Sequence, residues 1–217
     1  MHDTNPEASV ATWSGGASPF AMGSKKLGMW LFITSDVLTF TALLVAYTYS
    51  RLSNPGWSRP FPFNPSIIYS TIMTIVLLFS SLTMVMAVAA ANRGQRGLAA
   101  KWVMATMAGG IGFILLHLHE WFHLIGDGLT PSHNPFLGTN GQPGSPLFGA
   151  VFFGITGLHM THVAIGVIYL GIIAWGFASG KFDNEDVEVS GLYWHFVDLV
   201  WMFVFPLVYL MSVQYTK

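Results

Sequence analysis

The chain has 217 residues, of which 53% are hydrophobic and only 9% are charged, and its formal net charge at pH 7 is −1. A soluble domain usually carries about 25% charged residues, so this composition indicates a membrane protein. The near-zero net charge gives no basic patch, and we expect no nucleic-acid partner. The absence of cysteine excludes disulfides, iron–sulfur clusters and thiolate-bound copper or zinc in this chain.

The first 24 residues differ from the rest of the chain. They contain no apolar run of the signal-peptide type, and the first basic residue is Lys25. We therefore interpret residues 1–24 as a polar N-terminal tail and residues 25–217 as one membrane domain.

Five apolar segments are each long enough to cross a bilayer as a helix, which takes about 20 residues. The expected fold is therefore all-α, a polytopic membrane protein built as a bundle of five transmembrane helices. Glycines in the third segment, such as Gly109, Gly110 and Gly112, predict close helix packing. The segments cover approximately residues 27–50, 66–91, 101–125, 146–178 and 191–215.

Basic residues between the segments indicate the orientation. With the N-terminus inside, six of them lie on the inner side and three on the outer side. This excess favours a cytoplasmic N-terminus and an outside C-terminus. The inner set is Lys25, Lys26, Arg93, Arg96, Lys101 and Lys181, and the outer set is Arg51, Arg59 and Lys217.

Three carboxylates, Asp36, Glu120 and Asp198, lie in or near the apolar segments. Each costs about 2.5–3.5 kcal/mol on insertion scales, so each should face protein or water rather than lipid. His159 and His162 share one helix face and lie at about the depth of Asp36, roughly 15 Å from the helix end. We expect the Asp36 carboxyl to face both imidazoles, as a structural network, a proton relay or a lipid-headgroup contact.

His195 and Asp198 also share a helix face. We expect them to pair with each other or to form hydrogen bonds with neighbouring helices. Trp194 and Trp201 flank this face, and we interpret them as packing residues or lipid anchors.

Residues 119–123 read H-E-W-F-H, which matches the H-E-x-x-H motif of zinc metalloproteases. In that motif His119 and His123 would bind zinc and Glu120 would act as the base. The motif lies at the outer end of its helix, where histidines and aromatics are common, and Asp127 is too near in sequence to be a third ligand from another helix. An intramembrane protease is therefore an alternative rather than the main interpretation.

A small membrane cytochrome b is the second alternative. Two histidines on facing helices at matched depth can bind heme b. Hydrogen-bonded histidines in the core are the simpler interpretation. The candidate ligands are His117, His159, His162 and His195.

Three longer motifs follow one another along the chain. Gly28–Asp36 reads G-M-W-L-F-I-T-S-D, Thr156–Gly166 reads T-G-L-H-M-T-H-V-A-I-G and Tyr193–Trp201 reads Y-W-H-F-V-D-L-V-W. They resemble G-x-W-L-F-x-x-S-E, T-G-x-H-x-x-H-V-x-x-G and Y-W-H-F-V-D-x-V-W in subunit III of the heme–copper cytochrome c oxidases. The resemblance covers nearly all of residues 25–215, and five helices correspond to the short bacterial form of the family.

The resemblance implies a non-catalytic subunit of a proton-pumping terminal oxidase in aerobic respiration. Such a subunit carries no heme or copper, which belong to partner subunits. It docks directly on the catalytic subunit I, alongside subunit II and other oxidase subunits, and whether the complex joins a respiratory supercomplex is left open. It holds phospholipid in a cleft between its helices, assists proton uptake and limits inactivation during turnover. The implied location is the bacterial cytoplasmic membrane, and the electron donor, cytochrome c or quinol, is left open.

The resemblance also implies roles for individual residues. Asp36 corresponds to the family's buried, carbodiimide-reactive glutamate, one methylene shorter, and would be the carboxyl of a proton antenna facing the lipid cleft. His117 stands where the family often has glutamine. The core polar and lipid-cleft set is Trp30, Glu120, His159, His162, Trp194, His195, Asp198 and Trp201.

Overall fold

A computed structural model describes residues 12–13, 16–17 and 23–214. Most of the predicted polar tail, residues 1–24, lies outside the described residues. Two short strands in it are described, β1 (Thr12–Trp13) and β2 (Gly16–Ala17), which pair antiparallel with Thr12 opposite Ala17.

Long apolar helices make up nearly all of the remaining described chain. A turn at Phe63–Ile67 precedes α2, and irregular helical turns at Phe205–Tyr209 and Leu210–Ser212 extend α5. The five helical segments are long and apolar enough to cross a membrane, so the predicted five-helix, multi-pass membrane fold is confirmed. The helices are α1 (Ser24–Ser53), α2 (Ile68–Asn92), α3 (Arg96–Gly126), α4 (Leu147–Ala178) and α5 (Asn184–Val204).

Four helices form a ring, and the fifth lies outside it. Helices α2, α3, α4 and α5 each pack against the next around the ring, and α1 packs on the outside against α4 and α5. Helix α1 buries only Ile33, Phe40 and Tyr47, whereas α5 buries residues along most of its length. The core of the protein therefore lies inside the ring, and α5 contacts α1, α2 and α4.

The last helix begins earlier than the sequence predicts, at Asn184 rather than near residue 191. The Asp186 carboxylate accepts a hydrogen bond from the Asp183 backbone N–H at 2.9 Å, which caps the helix start. Glu185 and Asp186 also place negative charge at the positive end of the helix dipole. The predicted start near residue 191 was wrong because the first turn of α5 is acidic, and a search for apolar residues does not detect an acidic turn.

Ion pairs join the helix ends at the side where α1 begins. Lys25 Nζ lies 2.6 Å from Asp186 Oδ1, and Lys26 Nζ lies 2.9 Å from Glu188 Oε2. Asn92 of α2 donates to the other Glu188 oxygen at 3.3 Å. Exposed pairs of this kind contribute about 0–1 kcal/mol each, so they orient α1 on α5 rather than hold it there.

Glycines allow α3 to approach its neighbours closely. A Cβ atom at Gly110 would lie 2.4 Å from the Trp194 ring and 2.7 Å from Val167. A Cβ at Gly109 would lie 2.6 Å from the Ser80 Cβ. At Gly112 the nearest heavy atom is 3.7 Å away, on Val76, so this glycine is not needed for packing.

We predict that Gly110→Ala destabilises the detergent-solubilised protein by about 1–3 kcal/mol, because the added methyl forces the Trp194 ring out of place. Thermal unfolding followed by tryptophan fluorescence measures this. Gly112→Ala is the matched control, and it should be neutral or slightly stabilising, since alanine favours a helix over glycine. Equal effects of the two substitutions would show that close packing at Gly110 is not the reason for its glycine.

Candidate functional site

Asp36 on α1 and His162 on α4 form a pair near the middle of their helices. Asp36 Oδ2 lies 3.0 Å from His162 Nε2, and the two side chains are 17% and 15% exposed. His162 Nδ1 lies 2.8 Å from the Leu158 carbonyl oxygen, which can only accept, so Nδ1 carries a proton. The bond to Asp36 then needs one further proton, held either by the carboxyl or by Nε2. This geometry can therefore hold one proton between the two side chains.

The second histidine of this motif does not face Asp36, contrary to the prediction. His159 is fully buried, and its ring stacks on Trp201 with a centroid distance of 5.0 Å. Neither of its ring nitrogens has a hydrogen-bond partner within the described part of the chain. The reason is Phe40, one helical turn beyond Asp36, whose ring lies 5.3 Å from the His162 ring and 6.4 Å from that of His159. It occupies the space on this side of His159.

Glu120 on α3 is buried and bonded to the end of the chain. Tyr209 Oη donates to Glu120 Oε2 at 2.7 Å, and Glu120 is 7% exposed. The other carboxylate oxygen, Oε1, has no partner among residues 23–214. Glu120 therefore ties α3 to the turn that follows α5.

The H-E-x-x-H motif does not gather a ligand set in this fold. His119 and His123 are exposed, whereas Glu120 between them turns inward toward Tyr209. His123 Nδ1 lies 3.2 Å from Asp127 Oδ2 on the next turn. Within the described residues, no three His, Asp or Glu side chains are placed to share a metal ion. All three motif residues line a cavity of about 130 Å³, and nothing in its geometry favours zinc chemistry.

The buried histidines do not frame a heme pocket. His117 and His159 both pack against Trp201, with ring centroids 5.5 and 5.0 Å from it. Phe113 packs against both histidines and against Trp201. The space that a porphyrin would need between the two imidazoles is filled by aromatic side chains, so the residues present do not fit this cofactor.

His195 and Asp198 on α5 meet through a residue of α2 rather than directly. His195 Nδ1 lies 2.6 Å from Ser81 Oγ, and the same hydroxyl lies beside the Asp198 carboxyl. Asp198 is 7% exposed, and its Oδ1 has no partner in the part of the chain that is described. The sequence left open a direct His195–Asp198 pair or hydrogen bonds to a neighbouring helix. The structure has the second arrangement, because His195 bonds to Ser81 of α2.

The two tryptophans of α5 are packing residues. Trp194 Nε1 donates to Ser80 Oγ at 3.1 Å, and Trp201 Nε1 donates to Thr74 Oγ1 at 3.0 Å. Both rings are fully buried, so the alternative role as lipid anchors does not apply. Trp30 differs, because it is 45% exposed on the outer surface of α1.

Sequence reasoning missed the hydroxyl groups that complete this network. Tyr209, Ser80, Ser81 and Thr74 bind the residues that were singled out, and Tyr193 Oη donates to the His162 carbonyl at 2.9 Å. One signal was available: Thr74 and Ser80 are six residues apart, close to the seven-residue spacing of Trp194 and Trp201, to which they bind. No sequence signal marks Tyr209 as the partner of Glu120.

An open groove runs along the outside of the ring between α1 and α5. Its volume is about 590 Å³, and the side chains that line it are almost all apolar. On α1 it extends from Val37 to Leu52, and on α5 it includes Leu199 and Phe203. The Asp36–His162 pair lies between α1 and α4, and Phe40, which lines the groove, packs against the His162 ring.

We predict that Tyr209→Phe destabilises the protein by about 1–3 kcal/mol, because it leaves the buried Glu120 carboxyl without a donor. The midpoint of thermal unfolding in detergent measures the change. In a Glu120→Leu background the same substitution should have little effect, since the acceptor is already gone. An equal cost of Tyr209→Phe in both backgrounds would contradict the assigned bond.

Comparison with known proteins agrees with the sequence motifs. The model of the family described as cytochrome c oxidase subunit III matches residues 7–213. The chain is 29% identical to cytochrome bo(3) ubiquinol oxidase subunit 3 of Pseudomonas aeruginosa, over 88% of this chain and 86% of that protein. It is 32% identical to quinol oxidase subunit 3 of Bacillus spizizenii, over 86% of both chains, and 30% identical to cytochrome c oxidase subunit 3 of Bacillus subtilis, over 87% of both. The chain therefore belongs to the cytochrome c oxidase subunit III family, whose members are subunits of the heme–copper oxidases.

Proposed function

We propose that the chain acts as a non-catalytic subunit of a proton-pumping terminal oxidase, where it supports proton uptake and holds phospholipid. The observation that carries this proposal is the Asp36–His162 pair, whose geometry can hold one proton between the two side chains. The wider setting is proposed from the family: direct contact with subunit I, further contacts with subunit II and other subunits, and membership of a respiratory supercomplex. Heme and copper would reside in those partners, and the relatives' names include both quinol and cytochrome c oxidases.

The pair is suited to holding a proton near the catalytic chain. Asp36 lies about 18 Å along α1 from Ser24, which is near mid-membrane. Because the Leu158 carbonyl fixes the His162 ring, the proton can move between the two side chains without a change in the backbone. Both side chains keep some exposure, so the proton is not sealed inside the bundle. These features support a role in feeding or buffering protons for the oxidase.

The groove between α1 and α5 is suited to a phospholipid acyl chain. From Val37 to Leu52 it extends about 22 Å along α1, which is longer than one leaflet of a bilayer core about 30 Å thick. Its lining offers dispersion contacts and almost no polar group, so an acyl chain loses nothing by leaving the bulk lipid. A lipid held there would fix the distance between α1 and α5, and α1 is the helix with the fewest buried residues.

The proposed location is the bacterial cytoplasmic membrane, with the N-terminus cytoplasmic and the C-terminus outside. The end of the bundle where Lys25 and Lys26 bind the start of α5 would then face the cytoplasm. Arg51, whose guanidinium donates to Ser212 Oγ and to the Met211 carbonyl, would face outward. This arrangement follows the excess of basic residues on the inner side.

We predict that Asp36→Asn in the assembled oxidase slows proton uptake and shortens the catalytic lifetime several-fold, because the shared proton is lost. Oxygen consumption to exhaustion and stopped-flow proton uptake measure the two effects. Glu120→Gln is the control, since this carboxyl is bonded to Tyr209 and lies away from the pair. The role fails if Asp36→Asn matches the unsubstituted complex while a complex lacking the whole chain is impaired.

We predict that Leu44→Trp lowers the amount of phospholipid that co-purifies with the protein, because the indole fills the groove. Native mass spectrometry of the purified protein counts the bound lipid. Ile168→Trp on α4 is the matched control, since Ile168 is exposed and does not line the groove. Unchanged lipid in Leu44→Trp would argue against this groove as the binding site.

A further inference from the structure

His195 carries a polar atom that faces out of the helix bundle. Its Nδ1 is bonded to Ser81 Oγ at 2.6 Å, and the imidazole is partly exposed along the seam between α2 and α5. Its other ring nitrogen, Nε2, has no hydrogen-bond partner in residues 23–214. Unlike His117 and His159, which are enclosed by aromatic rings, His195 presents this atom at the surface.

The depth of His195 decides what can satisfy this nitrogen. The residue lies about 10 Å along α5 beyond Glu188, whose carboxylate pairs with Lys26, so it lies within the apolar part of the helix. An unpaired polar group in the hydrocarbon core costs several kcal/mol, and water is absent there. Lipid headgroups lie at the ends of the helices, so they do not reach the imidazole. A polar group carried into the membrane by another protein segment does reach it.

The surface around His195 is otherwise apolar and exposed. Leu78 and Val85 flank Ser81 on α2, three and four residues away, and Met202 follows His195 by seven residues, about two helical turns, on α5. A strip of this kind, apolar with one polar group at its centre, is typical of helix–helix contacts in lipid. The exposed face of α4 at similar depth carries the apolar side chains of Ile165 and Ile168. It therefore resembles a surface that faces lipid rather than another helix.

We propose that the α2–α5 seam around His195 is the docking surface for a transmembrane helix of the oxidase's catalytic chain. That helix presents a hydrogen-bonding side chain to His195 Nε2. A hydroxyl or an amide suits this role, because each can donate or accept, and Ser81 can do either toward Nδ1. The inference rests on the proposed function for the identity of the partner, and it adds the face and the atom that the partner contacts. The α1–α5 groove, whose lining is almost all apolar, is left to lipid.

A photoreactive amino acid placed in the assembled complex tests the docking surface. We expect benzoylphenylalanine at Leu78 to crosslink to the catalytic chain, and benzoylphenylalanine at Ile168, at similar depth on α4, to crosslink to lipid only. Crosslinks from Leu78 to lipid only, or to a second copy of this chain, would overturn the inference, as would crosslinks to the catalytic chain from Ile168 alone. If the unsubstituted chain does not co-purify with a catalytic chain, the proposed function fails and the inference with it.

A pair of substitutions at His195 tests the polar atom itself. We expect His195→Leu to reduce retention of this chain in the complex several-fold during detergent washing. His195→Gln keeps a hydrogen-bonding group at the same depth and should retain it better. The amount of this chain per catalytic chain, measured by quantitative mass spectrometry, gives the comparison. Equal retention of both variants at the unsubstituted level would overturn the proposed contact.

Discussion

The absence of water from the hydrocarbon core shapes this structure, because a polar side chain there is unfavourable unless it finds a partner in protein. Helix α5 meets this constraint for most of the bundle. Trp194 and Trp201 donate to hydroxyls of α2, and Tyr209 donates to Glu120 of α3. Each bond is possible at only one height and one rotation of the helices, so these bonds fix the register of the ring while apolar contacts supply most of its stability.

Polar groups at the edge of the ring are satisfied differently from those inside it. Asp36 and His162 satisfy each other, but both side chains keep partial exposure. His195 satisfies one nitrogen internally and offers the other outward. Groups inside the ring tie the helices together, whereas we propose that these two sites lie where lipid or another chain contacts the protein.

The number and approximate limits of the helices were predictable, because about 20 apolar residues in a row have one common solution in a bilayer. The pairing of Asp36 with an imidazole followed from depth. The separation of His159 from Asp36 could not be predicted, because it depends on where the Phe40 ring lies after α1 packs on α4. The Glu120–Tyr209 bond was not predictable either, since the helices are apolar on most sides and their rotation is set only by packing. The acidic start of α5 was missed because the helices were predicted from apolar residues, and the residues that cap this helix are polar.

The most direct test is affinity purification of this chain through a C-terminal tag, from native membranes in mild detergent, followed by mass spectrometry and absorption spectroscopy. The chain should co-purify in constant ratio with a catalytic chain that contains heme and copper, and the complex should consume oxygen. Recovery of the chain alone, or with stoichiometric zinc or heme bound to it, would contradict its assignment as a supporting oxidase subunit and return attention to His119, Glu120 and His123.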